Sequence, residues 1–163
     1  MRTLALITIY LVAIIAANLI VSRYGVISVL PVAFVFIGLD LTTRDYLHEL
    51  WKDNLWLKML ALIGVGSLLS WLINKDAGQI AVASFVAFLS ANIIDTLVYK
   101  LLHKRAFLFK VNGSNVFGAF ADSFSFLTIA FGSFLPLLIL QQFAVKVFGG
   151  FIWSLLLRRF KPK

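Results

Sequence analysis

The run QIAVASFVAFLSANIIDTLVYKL at residues 79–101 decides the fold class, because Asp95 and Lys100 are its only charged side chains. A helix that spans a bilayer needs about 20 predominantly apolar residues, so this run predicts a transmembrane helix. Five further runs of the same kind lie at residues 4–22, 26–42, 55–73, 114–132 and 136–157. The chain has 163 residues, 61% hydrophobic and 13% charged, which excludes an ordinary soluble domain. We therefore expect an all-α integral membrane protein with one domain, 1–163, of six transmembrane helices.

Basic residues fall mostly at one end of the predicted spans. With the N-terminus in the cytoplasm, twelve of them face inward, Arg23 and Lys75 face outward, and Lys146 lies within span six. The inward set is Arg2, Arg44, Lys52, Lys58, Lys100, Lys104, Arg105, Lys110, Arg158, Arg159, Lys161 and Lys163. Under the positive-inside rule this distribution predicts cytoplasmic N and C termini in a multi-pass protein of the cytoplasmic (inner) membrane. The formal charge of +8 then reports orientation and contact with anionic lipid, and no basic segment is long enough to predict nucleic-acid binding.

An internal similarity relates the two halves of the chain. Residues 12–20 read VAIIAANLI and residues 86–94 read VAFLSANII, an offset of 74 positions. Three spans separate the two copies, so the second would enter the membrane from the opposite side. This predicts a 3+3 inverted repeat, an arrangement that secondary transporters use to form a substrate site near the midplane.

Span four carries polar side chains that the hydrocarbon core of a membrane tolerates poorly. Asn92, Asp95 and Tyr99 are spaced three and four residues apart, so they share one helix face. The small residues Ala83, Ala87 and Ala91 continue that row and predict close packing against a neighbouring helix. We interpret the polar face as part of a substrate site.

Span five repeats this pattern with Asn115, Gly118 and Asp122 on one face, preceded by Ser114. A short basic loop joins spans four and five, so they run antiparallel and can present two carboxylates to one cavity. Lys146 cannot neutralise both. A structural pair with either aspartate would leave the other protonated, solvated or available to a ligand.

Plainer interpretations stay open for several residues. Asn18, like Asn92 and Asn115, can simply hydrogen-bond between helices. Asp40 and Arg44 are four residues apart, which favours a structural ion pair at the cytoplasmic end. We assign gating or structural roles to Asp40, Arg44, Asp45 and Gly118.

Catalysis finds no support in the residue pattern. The chain has no cysteine and only two histidines, His48 and His103, and it has no glycine-rich phosphate loop and no metal-ligand spacing. We therefore predict no enzyme, no cofactor and no metal site.

Several motifs make the chain resemble the vitamin uptake transporter (VUT) family, which is associated with queuosine precursor transport. They are DLTTRD at 40–45, DTLVY at 95–99 and, above all, SNVFGAFADSFSFLTIAFGS at 114–133, followed by Lys146. The family's span-five signature is met at Ser114, Asn115, Gly118, Asp122, Ser123 and Phe126. Two departures are Ala119, where many relatives have Gln, and the Arg44-Asp45 pair.

The resemblance implies import of a nucleobase-like 7-deazaguanine, such as 7-cyano-7-deazaguanine, for tRNA or DNA modification. The candidate substrate-binding residues are then Asn18, Asn92, Asp95, Tyr99, Ser114, Asn115, Asp122, Phe126 and Lys146. A carboxylate suits the paired N–H donors of a guanine-like edge, an Asn amide suits the acceptor edge, and Phe126 or Tyr99 can stack.

Two alternatives to a self-sufficient carrier stay open. One is the substrate-capture subunit of an ATP-driven vitamin importer, and the other is a structural membrane subunit without transport activity. Ala13 and Ala17 form an AxxxA row that can dock a membrane partner or a second copy in a homodimer.

Overall fold

The computed structural model describes residues 2–51, 53–105 and 107–156, and these residues are almost entirely helical, with no strand among them. Helix α1 is Arg2–Tyr24, and a 3₁₀ turn, Gly25–Ser28, leads to α2, Val29–Val32. A π turn, Ala33–Ile37, joins α2 to α3, Gly38–Leu50, so residues 29–50 form one helical segment. The remaining helices are α4, Leu55–Ile73; α5, Gly78–Leu101; α6, Phe107–Phe131; and α7, Pro136–Leu156. A second 3₁₀ turn, Lys75–Ala77, precedes α5.

Four stretches of the described residues are long and apolar enough to cross a membrane. They are Thr3–Arg44, which contains the first two predicted runs, Trp56–Ile73, Lys75–Leu101 and Pro136–Trp153. Helix α6 has 25 residues but is not among them, because polar side chains such as Asn115 and Asp122 lower its hydropathy. The fold is all-α and of the membrane-spanning class. The number of crossings, the side of each terminus and the inverted repeat stay predictions.

Helices α5 and α6 are antiparallel and pack closely along their length. Ala83, Ala87 and Ala91 are buried, as their small-residue row predicts. A Cβ atom placed on Gly118 of α6 would lie 3.2 Å from the carbonyl oxygen of Ala91 and 3.3 Å from the Cβ of Asp95. The absence of a side chain at Gly118 therefore brings the backbone of α6 against the face of α5 that carries Asp95.

Segment 29–50 crosses α7 at a second close contact. A Cβ atom on Gly149 would lie 2.7 Å from the carbonyl oxygen of Phe34 in the π turn, and one on Gly38 would lie 2.7 Å from the carbonyl carbon of Gly149. The Thr42 hydroxyl donates to the carbonyl oxygen of Gly150 at 3.2 Å. Only glycine fits at this crossing without moving backbone, and the crossing places α3 beside the middle of α7.

The two asparagines that the predicted internal repeat would relate make different contacts. Asn18 bonds to neighbouring helices, whereas Asn92, its counterpart at offset 74, donates to the carbonyl oxygen of Phe88 in its own helix. Ala13 and Ala17, the row expected to dock a partner, are 1% and 4% exposed. That row is covered by the chain's own helices, so it offers no surface to a partner.

Candidate functional site

A cavity of about 560 Å³ lies in the middle of the helix bundle, and all six long helical segments contribute to its wall. This volume is in the range of small-molecule sites, which run from roughly 300 to 1,000 Å³. Its wall is apolar around Val21, Val29 and Val32. The polar and charged side chains that line it are Asn18, Asp40, Thr42, Arg44, Ser84, Asn92, Asp95, Asn115, Asp122, Gln142 and Lys146.

An ion pair joins α6 to α7 at mid-depth in the cavity. The Lys146 ammonium group on α7 donates to the Asp122 carboxylate on α6, and the two side chains are 3% and 25% exposed. The ammonium nitrogen also lies 6.0 Å from the centroid of the Phe126 ring. A buried lysine needs a partner of opposite charge, and Asp122 provides it. Of the two pairs open from the sequence, the structure forms Asp122–Lys146.

Asp95 is the aspartate that this pairing leaves over. It lines the cavity, and its Oδ1 atom is buried with no hydrogen-bond partner in the part of the chain that the structure describes. A buried acceptor without a partner costs about 1–3 kcal/mol, and more when it is charged. This oxygen of Asp95 therefore keeps its capacity to accept a hydrogen bond.

Two asparagines lie beside Asp95 in the cavity wall. Asn92, one turn away on α5, donates one amide hydrogen to the carbonyl oxygen of Phe88 at 2.7 Å. Its second N–H and its oxygen are not used by that bond. Asn115 is exposed and lines the cavity one turn before Gly118, which contacts Asp95.

Asn18 acts differently from the other two asparagines. Its amide nitrogen donates to the Ser70 hydroxyl at 3.1 Å, and its amide oxygen accepts from the Ser84 hydroxyl at 2.6 Å. Ser70 in turn donates to the carbonyl oxygen of Gly66 at 2.7 Å. Asn18 is only 2% exposed. Its side chain ties α1 to α4 and α5, so the interhelical interpretation describes its contacts better than a free binding group.

Comparison with known proteins identifies the family of this chain. Residues 6–158 match the model of a family described as "Putative vitamin uptake transporter". The chain belongs to this vitamin uptake transporter family. It is 29% identical over 140 residues to a Haemophilus influenzae protein named "Probable queuosine precursor transporter", a match that covers 77% of the chain. The chain spans about three fifths, 59%, of that relative's length. No solved structure matches it.

The family's description names uptake transport and no enzymatic activity, and the apolar helices of this chain suit a multi-pass membrane protein. Among the described residues, no group of three or more His, Cys, Asp or Glu side chains is placed to hold a metal ion.

Two residues assigned to a structural ion pair at the cytoplasmic end also lie in the cavity wall. Asp40 and Arg44 both line it, about two turns of α3 before its last residue, Leu50. Thr42, which bonds to α7 at the crossing, lies between them in the sequence and also lines the cavity. The side chain of Asp45, assigned with them, lies outside the described residues.

Two expected binding residues are not part of the cavity wall. Tyr99 is 37% exposed near the end of α5, one turn beyond Asp95, where the cavity has already ended. Ser114 is 2% exposed and lies outside the wall.

Ser84 and Gln142 line the cavity of the transporter but were not among the candidates from the sequence. Gln142 precedes Lys146 by four residues and therefore lies on the same face of α7. That spacing was a usable signal. Ser84 had none, because a single serine in an apolar helix commonly bonds to its own backbone.

Proposed function

We propose that this transporter imports a queuosine precursor, a 7-deazaguanine base, across the cytoplasmic membrane. Support comes from the family, from the printed name of the Haemophilus influenzae relative and from the chemistry of the cavity. In the proposal the chain crosses the membrane six times as a single domain. Both termini are cytoplasmic in the proposal, in line with the basic residues Lys104 and Arg105 that follow α5.

Asp95 carries the substrate assignment. A guanine-like edge has two parallel N–H donors, one on the ring and one on the exocyclic amine, and a carboxylate accepts both at once. Asp95 has a buried oxygen without a hydrogen-bond partner among the described residues, whereas Asp122 is occupied by Lys146. Binding the base would satisfy that oxygen and would replace water at the polar edge of the ligand.

The asparagines beside Asp95 complete the proposed site. Asn92 and Asn115 each have an amide N–H that can donate to the carbonyl oxygen of the base. Neither Tyr99 nor Ser114 enters this assignment, since both lie outside the cavity wall.

Uptake by purified protein in liposomes tests this function. Labelled 7-cyano-7-deazaguanine should enter vesicles that contain this chain alone, and Asp95→Asn should reduce entry at least tenfold. Asp76→Asn is the matched control, because Asp76 is exposed in the turn before α5. Normal uptake by Asp95→Asn at normal abundance would contradict the assignment. Uptake that requires added ATPase partners would instead favour a substrate-capture subunit.

A further inference from the structure

Gln142 is a second buried acceptor in the cavity, far from Asp95. Its side chain is 2% exposed and lines the cavity. Its Oε1 atom has no hydrogen-bond partner within the described ranges of the chain. A neutral amide oxygen left in this state destabilises the protein unless a ligand or water donates to it.

The depth of each residue follows from helix geometry. Gln79 at the start of α5 donates to the carbonyl oxygen of Ile129 near the end of α6 at 3.1 Å, so these termini share the end of the bundle that holds loop 132–135. At a rise of 1.5 Å per residue, Gln142 lies about 9 Å from this end, and Asp95 lies about 26 Å from it.

The charged pair lies between these two levels. Asp122 is nine residues before the end of α6 and Lys146 is ten residues after the start of α7, which places both at a depth of about 15 Å. Phe126 also lines the cavity and, at about 8 Å, shares the level of Gln142. The cavity thus holds two levels of unfilled binding groups, one on each side of the Asp122–Lys146 pair.

We propose that Gln142 and Phe126 form an entry subsite, distinct from the Asp95 site, that takes the planar base before it passes the ion pair. The inference rests on the proposed function. The amide oxygen of Gln142 accepts an N–H of the base, and the Phe126 ring offers a flat apolar contact. The two levels are roughly 17 Å apart in depth, which exceeds the length of a single purine-sized base, so one bound molecule does not use both.

The chemistry of this subsite selects a neutral ligand with N–H donors. The acceptor is an uncharged amide, and the neighbouring wall consists of Val21, Val29 and Val32. Lys146, which lines the cavity one turn along α7 from Gln142, is engaged by Asp122. An anionic ligand would therefore find no free positive charge at this level, and an apolar ligand would leave the Gln142 oxygen without a donor.

Kinetics measured from each side of the membrane test the entry subsite. Oriented proteoliposomes would carry wild type, Gln142→Met or Gln141→Met, with labelled 7-cyano-7-deazaguanine as the probe. Methionine keeps the length of the side chain and removes the acceptor. Gln141 is the matched control, because it is the adjacent residue and is exposed.

For Gln142→Met, we expect the KM for movement from the 132–135 end to rise about tenfold, the loss for one hydrogen bond. The KM for movement from the opposite end should stay within about twofold, since the base meets Asp95 first from that side. The unfolding temperature should equal or exceed that of wild type, because the unsatisfied oxygen is gone. Gln141→Met should match wild type throughout.

Three results would overturn the entry subsite. One is an unchanged KM from the 132–135 end, and another is an equal rise from both ends, which indicates a structural role. The third is a failure of wild type to carry the base at all, which refutes the proposed function together with this substrate. Normal wild-type transport combined with either of the first two results refutes the subsite alone.

Discussion

Removing Lys146 should destabilise the protein strongly, because it leaves Asp122 as an uncompensated carboxylate inside the bundle. Breaking a buried ion pair by removing one partner costs about 3–5 kcal/mol. In Lys146→Met the remaining Asp122 side chain is 25% exposed to the cavity, so we expect a cost near the lower limit, about 3 kcal/mol.

Removing the carboxylate of Asp122 should lower the free energy of unfolding more than removing the ammonium group of Lys146. In Asp122→Asn the remaining charge is Lys146, which is only 3% exposed, so the loss should lie near the upper limit, about 5 kcal/mol. The double variant, Asp122→Asn with Lys146→Met, removes both charges and should recover to within about 2 kcal/mol of wild type, since no buried charge is left unpaired.

The assay is unfolding of the purified variants in detergent, followed by loss of helical circular dichroism. If Asp122 and Lys146 did not interact, the double variant would lose as much free energy of unfolding as the two single variants added together. A sum of that kind would refute the pairing, and a smaller loss for Asp122→Asn than for Lys146→Met would refute the argument from burial.

Three further predictions concern packing and topology. Gly149→Ala places a methyl group against the carbonyl oxygen of Phe34 in the π turn and should cost about 1–3 kcal/mol in thermal unfolding. Gly64→Ala should not destabilise, because its methyl group would make only an ordinary van der Waals contact with the Phe85 ring at 3.8 Å; equal stability of the two variants would contradict the crossing. Asn18→Leu should cost about 1–3 kcal/mol, because the Ser84 hydroxyl loses its acceptor and the Ser70 hydroxyl loses a donor, and an unchanged unfolding temperature would contradict this. Since the chain has no cysteine, Lys104→Cys should react with a membrane-impermeant maleimide only from the cytoplasmic side and Asp76→Cys only from outside; the reverse pattern would invert the topology.

Hydropathy and spacing predict much of this molecule. Over the described residues, each apolar run overlaps a helical segment and differs from it by a few residues at the ends, and the row at Ala83, Ala87 and Ala91 is buried as small-residue packing requires. The scarcity of charge inside the runs also indicated that one of two aspartates would lack a lysine partner. The structure identifies it as Asp95.

The positions of Asp40 and Arg44 were not predictable in the same way. Both lie near the end of an apolar run, which is where charges normally mark the membrane surface. Their place in the cavity wall comes from the packing of segment 29–50 among the other helices, and contacts between distant segments leave no periodic signal in either segment. Contacts between distant segments decide which polar residues share a cavity, and spacing within one helix does not report them.

The polar contacts of the bundle have a consequence for movement. Asn18 holds α1, α4 and α5 together through Ser70 and Ser84. A second set is held together at α7, because Lys146 joins α7 to α6 and Thr42 joins segment 29–50 to α7. The face of α5 that carries Ala83, Ala87 and Ala91 packs against Gly118 of α6, and this contact lies between the two sets of helices. A sliding displacement along that face would keep these bonds, whereas the hydrogen bond from Gln79 to the carbonyl oxygen of Ile129, which joins α5 to α6, would have to break.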